Sequence, residues 1–183
     1  MKYHNTNSAG KKILCLGKGT KVLMADLTYK EIETVQVGDI VASFNVRTSV
    51  IHESRVGRTA SSEHASISRL TLEGGIRLEC TSDHPVWIHG KGWCATDPKE
   101  AMENYGEIVL PLLTGDACLA QENGALIRLH ITAIDTLVGW FEMYVIDGGN
   151  EHCFFANNIL VHDENVALLQ EGLSRGEFRS AAP

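Results

Sequence analysis

Cys15 offers a thiol between Leu14 and Leu16, followed directly by Gly17-Lys18-Gly19-Thr20. A thiol is a nucleophile once ionised, yet a single cysteine between two leucines reads first as a small buried hydrophobe. Its company changes that reading. Thr81-Ser82-Asp83-His84-Pro85 supplies a hydroxyl and an imidazole three residues apart, and imidazole moves protons near neutral pH. His152 precedes Cys153, and the run Phe154-Phe155-Ala156-Asn157-Asn158-Ile159-Leu160-Val161 leads into His162-Asp163, an imidazole beside a carboxylate. A Cys15 and His84 pair would suit a cysteine peptidase acting in trans, given an open substrate groove. Cys15, His84, His152 and His162 are also metal-ligand types, although their spacing matches no structural zinc pattern.

These groups must be positioned by short strands. Residues 1–12 are polar and read as a flexible leader, so structure is expected to begin near Ile13. Apolar runs at 22–24, 32–37 and 40–44, separated by turn signals at Asp26 and Gly38-Asp39, form a β pattern. Residues 47–65 are polar and weakly patterned. Runs 67–72 and 76–80 flank Gly74-Gly75 and make the plainest hairpin, whose second strand leads straight into Thr81. Pro85 restricts His84 to extended geometry, which holds the histidine at a strand end before a short strand at 86–88. Residues 97–103 suit one or two helical turns, and 107–112, 126–136, 140–146 and 153–161 are further strands. Many short strands with little helical periodicity predict an all-β domain. Residues 164–183 read as a polar tail with one short amphipathic piece at 166–173.

Composition narrows the function. With 183 residues and 44% apolar content, the chain can fill the core of one domain. A net charge of −7 leaves no basic excess for nucleic acid or an anionic membrane surface, and neither is expected as a partner. No apolar run is long enough to span a bilayer, and residues 1–10 lack the apolar stretch of a secretory signal. Five cysteines with no CxxC pair indicate neither a disulfide framework nor a zinc ribbon. Cys80 and Cys153 read as core, while Cys94 beside Trp93 and Cys118 in a polar loop carry no motif. His52, His64, His89 and His130 have no partner visible in the sequence. Gly38, Gly90 and Gly92 serve turns without phosphate-loop spacing, and no cofactor is expected.

Taken together, three stretches resemble the blocks of the Hint superfamily, the group of inteins, bacterial intein-like domains and hedgehog autoprocessing domains. They are CLGKGTKVLMADLTYKEIETVQVGDIVASFN from Cys15, TSDHPVWIHGKGW from Thr81, and HCFFANNILVHD from His152, in family order. The resemblance is nearest to bacterial intein-like domains and mini-inteins. It implies an all-β Hint fold, a horseshoe-like pseudo-two-fold set of curved β-hairpins that brings Cys15 and Asp163 together at a shared centre. It divides the chain into an N-terminal flank of residues 1–14, a self-processing domain of residues 15–163 and a C-terminal flank of residues 164–183. The implied activity is rearrangement of the Leu14–Cys15 amide to a thioester, with His84 protonating the leaving nitrogen and Thr81 in support. The flanking segments in cis are then the substrate, and water or an outside thiol or amine ends the thioester.

This sequence departs from the family at three places. The family closes with His-Asn, whereas this chain has His162-Asp163. An aspartate would attack its own carbonyl through the carboxylate and give a cyclic anhydride, with His162 polarising the carbonyl and His152 assisting proton transfer. Residue 164 is Glu, which cannot capture a thioester as Ser, Thr or Cys would, so splicing is expected to be inefficient or absent. Val145 stands where the family has a polar residue. Asp163 and Glu164 also suit a rival reading, a Hint-fold binding or spacer module with weakened catalysis.

Overall fold

The computed structural model describes residues 14–105, 109–147 and 152–163. Among these residues fourteen strands and one α-helix follow in order: β1 Leu16–Gly17, β2 Lys21–Leu23, β3 Tyr29–Glu31, β4 Ile40–Asn45, β5 Val50–Arg55, β6 Arg58–Leu72, β7 Arg77–Cys80, β8 Val86–Ile88, β9 Gly92–Ala95, α1 Pro98–Tyr105, β10 Leu110–Pro111, β11 Ala117–Glu122, β12 Ala125–Asp147, β13 Cys153–Ala156 and β14 Ile159–His162. The all-β expectation holds. The expected leader and tail lie outside the described residues.

β12 organises the sheet. Its first turns of chain, from Ala125 to His130, pair with β11, and from Ile131 to Asp147 it pairs with β6. One 23-residue strand therefore spans both halves of the fold. The sheet order is β1-β7-β6-β12-β11-β8-β14-β13-β2-β3, and β4-β5 form a separate hairpin. β13 and β14 are buried along their whole length, which suits strands at the centre of a structure whose side chains are apolar on both faces. Leu23, Ala42, Phe44, Phe155 and Leu160 close one core there, while Leu16, Leu70, Leu78, Val86 and Val161 belong to the larger one.

Several sequence expectations are corrected. Residues 126–136 and 140–146 are one strand, because Gly139 falls within a register irregularity between Val138 and Phe141 rather than at a break. Residues 153–161, read as one strand, are a hairpin. Asn157 and Asn158 both have positive φ (47° and 68°), the geometry of a two-residue primed turn that Asn tolerates. Residues 47–65 hold β5 and half of β6; their ladder partners β4 and β12 satisfy the backbone, so these strands form without an apolar pattern. Ile32–Thr34 is a 3-10 turn instead of a strand, and the ladder partner of β2 is the polar β3. Cys118 lies buried in β11 rather than in a loop. The strand expected at 107–112 reduces to Leu110–Pro111, with 106–108 outside the described residues.

Candidate functional site

Cys15 immediately precedes β1, whose Leu16 lies between Cys80 of β7 and Tyr144 of β12. This clamp carries the chain past Thr81. The Thr81 N–H donates to the Cys15 carbonyl at 3.0 Å, and the Cys15 N–H donates to Thr81 Oγ1 at 3.3 Å, a long bond for this pair of atoms. The amide of the Leu14–Cys15 bond is thus held against the hydroxyl of the Thr81-x-x-His84 turn. Cys15 is 0% exposed and Leu14 3%, the latter packed against Ala95, Ala101 and Val109.

The turn itself is braced. His84 N–H closes it onto the Thr81 carbonyl at 3.1 Å, Ser82 Oγ donates to Glu100 at 2.6 Å, and Asn104 Nδ2 donates to Asp83 at 2.8 Å. Glu100 and Asn104 are four apart on α1 and meet the turn from one face of the helix. Neither ring nitrogen of His84 makes a well-formed hydrogen bond among the described residues. Burial, with the nearby His162 adding to it, holds its pKa down at about 3, against opposing effects of the His162 backbone and the Asp163 carboxylate. His84 is therefore neutral at neutral pH and a strong acid once protonated.

The late residues arrive from the other half of the sheet. β8 and β14 pair at Val86 and Val161, and the His162 N–H donates to the Pro85 carbonyl at 3.0 Å, so the residue after His84 is tied to the closing block. His162 Nδ1 lies 2.6 Å from the backbone carbonyl of Asp163, which fixes its Nδ1–H tautomer as donor. Burial lowers the His162 pKa and keeps the ring neutral, outweighing the Asp163 carboxylate, which favours the charged form. The Trp93 ring meets the His162 ring edge-on at 4.9 Å between centroids. His152 has φ of 53° and is locked by the Asp163 N–H on its carbonyl (2.9 Å); its Nδ1 stands 3.4 Å from Asp163 Oδ1. All six predicted residues are buried, and hydrogen bonds connect Cys15 through Thr81 to the His84-Pro85 turn and on to His162, Asp163 and His152.

Two further side chains reach the thiol. Ser62 Oγ is 3.3 Å from Cys15 Sγ, and His64 Nε2 is 2.9 Å from Ser62 Oγ. His64, which has no partner visible in the sequence, thus has one in the structure. Ser62 and His64 are two apart, the spacing that puts both on one face of a strand, but their polar surroundings hid the strand. Val145 packs with Cys15, Ile67 and Met143, so the β12 side of the thiol is apolar and its polar contact comes from β6. Among the described residues no group of three or more His, Cys, Asp and Glu is placed to hold a metal ion, and no helix is long and apolar enough to cross a membrane.

Comparison with known proteins places this geometry. The family described as the Ataxin-1 and HBP1 module (AXH) matches residues 16–123. That match begins one residue after Cys15 and ends between β11 and β12, so it leaves out Cys15, His152, His162 and Asp163. Solved structures match over most of the chain. A bacterial intein-like domain from Clostridium thermocellum superposes with a TM-score of 0.67 at 24% identity, over 81% of this chain and 98% of that one. A DnaB intein from Synechocystis sp. PCC 6803 gives 0.68 at 16% identity, over 82% and 98%. The gp41-1 intein gives 0.61 at 25% identity, also over 82% and 98%. The fold is that of the intein-like Hint domains. No curated protein sequence matches the chain.

Proposed function

The chain belongs to the Ataxin-1 and HBP1 module family through residues 16–123 and folds as an intein-like Hint domain, and on that premise we propose that it processes itself at the Leu14–Cys15 bond. The observation that carries this reading is the pair of hydrogen bonds between Cys15 and Thr81, which hold that one amide beside a turn bearing a neutral buried histidine. The Cys15 sulfur attacks the Leu14 carbonyl carbon, the C–N bond breaks, and the nitrogen leaves as the amine of Cys15. A nucleophile one residue from the scissile carbonyl needs no diffusional encounter. Thr81 orients the N–H, and His84, neutral at rest, takes up a proton from solvent and passes it to the nitrogen, a release that its low pKa makes favourable. The resulting thioester ends by hydrolysis or by attack of an outside thiol or amine.

At the other end, the Asp163 carboxylate attacks its own carbonyl carbon while His162 Nδ1–H, 2.6 Å from that oxygen, stabilises the developing charge. The bond to Glu164 breaks as protonated His152 gives its proton to the departing nitrogen, and a cyclic anhydride remains, which water opens. This step is slower than the first, because a carboxylate is a weak nucleophile towards an amide. Glu164 offers no group to capture the thioester, so cleavage replaces splicing.

Intact mass of the purified chain over time, with and without dithiothreitol, tests the reading. Thiol-accelerated loss of residues 1–14 that Cys15→Ala abolishes is expected, with slower loss of residues 164–183. A mass that stays at full length in both proteins would refute self-processing and leave an inert Hint-fold module.

A further inference from the structure

Ser62 and His64 belong to none of the motifs that single out Cys15, yet they meet its sulfur. On β6, Ser62 stands opposite Met143 and His64 opposite Phe141 of β12. Both face the interior, while Glu63 between them faces solvent. The distances, 3.3 Å from Cys15 Sγ to Ser62 Oγ and 2.9 Å from Ser62 Oγ to His64 Nε2, form a continuous proton path. We propose that Ser62 is a catalytic residue that relays the Cys15 proton, with His64 as the positioning residue that orients its hydroxyl and receives the proton.

The inference rests on the self-processing reading. The thiol proton passes to the Ser62 oxygen as the Ser62 hydroxyl proton passes to His64 Nε2, leaving a thiolate, a neutral serine and an imidazolium. The sulfur electron pair then forms the bond to the Leu14 carbonyl carbon. One proton leaves through His64 to solvent and one enters through His84 to the departing nitrogen, so the acyl shift is neutral overall. This division of labour answers a difficulty in the motif residues. Burial leaves His84 at about 3, a strong acid in its charged form and a correspondingly poor base for a thiol. A second imidazole on the sulfur side removes the need for one group to do both tasks. β12 offers Phe141, Met143 and Val145 to this space and carries Glu142 on its opposite, exposed face, so no carboxylate of β12 competes with His64 for the thiol proton. Thr81 meets Cys15 from the loop after β7, whose titratable groups are Asp83 and His84.

The test compares wild type, Cys15→Ala, Ser62→Ala, His64→Ala and His64→Gln, each checked for folding by thermal melt. Glutamine keeps a hydrogen-bonding group near the Nε2 position but cannot take up a proton. Two readouts are used: the ultraviolet absorbance of the Cys15 thiolate, titrated as the difference from Cys15→Ala, and the rate of N-terminal release with hydroxylamine between pH 6 and 9. Loss of the relay is expected to slow release at neutral pH by about 10²-fold or more in Ser62→Ala and His64→Gln. The deficit should narrow as pH rises, and the thiolate midpoint should move up. A folded His64→Gln that keeps the wild-type midpoint and pH profile would overturn the relay, as would full rescue of His64→Ala by His64→Gln. If wild type shows no Cys15-dependent release, the processing reading itself fails. The midpoints then judge the pair alone: a lower midpoint in wild type than in His64→Gln supports it, and equal midpoints overturn it.

Discussion

Thr81→Val isolates what the Thr81 hydroxyl contributes, because valine keeps the branched shape and removes only the oxygen. The change strips the Cys15 N–H of its acceptor at a position where Cys15 is fully buried and Thr81 nearly so. An unsatisfied buried donor costs about 1–3 kcal/mol; the 3.3 Å length of this bond puts the cost at the lower end. At about 2–4 °C per kcal/mol for a chain of this size, the melting temperature should fall by about 2–6 °C in a Cys15→Ala background, where no cleavage intervenes. The kinetic effect should be larger than the stability effect. A planar amide nitrogen has no lone pair to protonate; one appears as the tetrahedral intermediate forms, in a direction fixed by where the N–H points. Without Thr81 Oγ1 that direction is unfixed, and a loss of about 10–100-fold in N-terminal release, about 1.4–2.7 kcal/mol in barrier, is expected. Intact mass against time under saturating thiol measures it. A melting temperature that falls while the rate is unchanged would refute the reasoning and reduce Thr81 to a brace.

His84 gives a pH prediction. Its pKa is about 3 in the folded chain against an ordinary 6.5, so the unfolded state binds the proton more readily and stability falls as pH drops below 6.5. At pH 5 this amounts to about 2 kcal/mol relative to pH 8. His84→Gln should flatten that part of the melting-temperature profile and abolish N-terminal release; an unchanged acid slope would show that His84 is not buried as described. At the other end, Asp163→Asn replaces the carboxylate with an amide and should convert C-terminal cleavage to succinimide formation, seen as a released domain lighter by one water. Adding His162→Ala should slow that release by about 10²-fold, since the donor on the Asp163 carbonyl is lost.

What the sequence revealed follows from which constraints are local. Gly74-Gly75 act on their own backbone, so the β6-β7 hairpin could be read from residue types. The three motif blocks carry their residues in a fixed order, and the fold places all six candidate residues in one buried, hydrogen-bonded arrangement. The first half of β6, residues 58–65, was not legible because it is mostly polar and exposed or half-buried along much of its length. Its stability comes from ladder pairing with a partner more than sixty residues away, which imposes no period on the sequence. Ser62 and His64 were hidden for the same reason. Their shared face means something only once a strand is known to run there and once Cys15 is known to lie beneath it. Gly139 misled because a glycine between apolar runs signals a turn as readily as a bulge.

Burial of the scissile bond sets the fate of the thioester. Leu14 is 3% exposed and is seated among Ala95, Ala101 and Val109, while Cys15 is shielded by Ile67, Met143 and Val145. A carbonyl carbon between two such residues is shut off from an outside thiol until the Leu14 segment lifts away. Observed thiolysis is then the intrinsic rate multiplied by the population of that opening. Local openings of about 2–4 kcal/mol would slow it about 30–1,000-fold relative to a small thioester. Urea well below the unfolding midpoint should accelerate thiolysis, because opening exposes surface. Leu14→Ala should do so as well, by at least about tenfold, since it removes part of the roughly 2–5 kcal/mol that a buried leucine contributes. Both effects run opposite to a general loss of the active geometry, which would slow cleavage. If thiolysis matches a free thioester and responds to neither change, the carbonyl is already open and hydrolysis competes from the start. If both accelerate it, the fold stores the acyl group and releases it to an acceptor only when the Leu14 segment is drawn out.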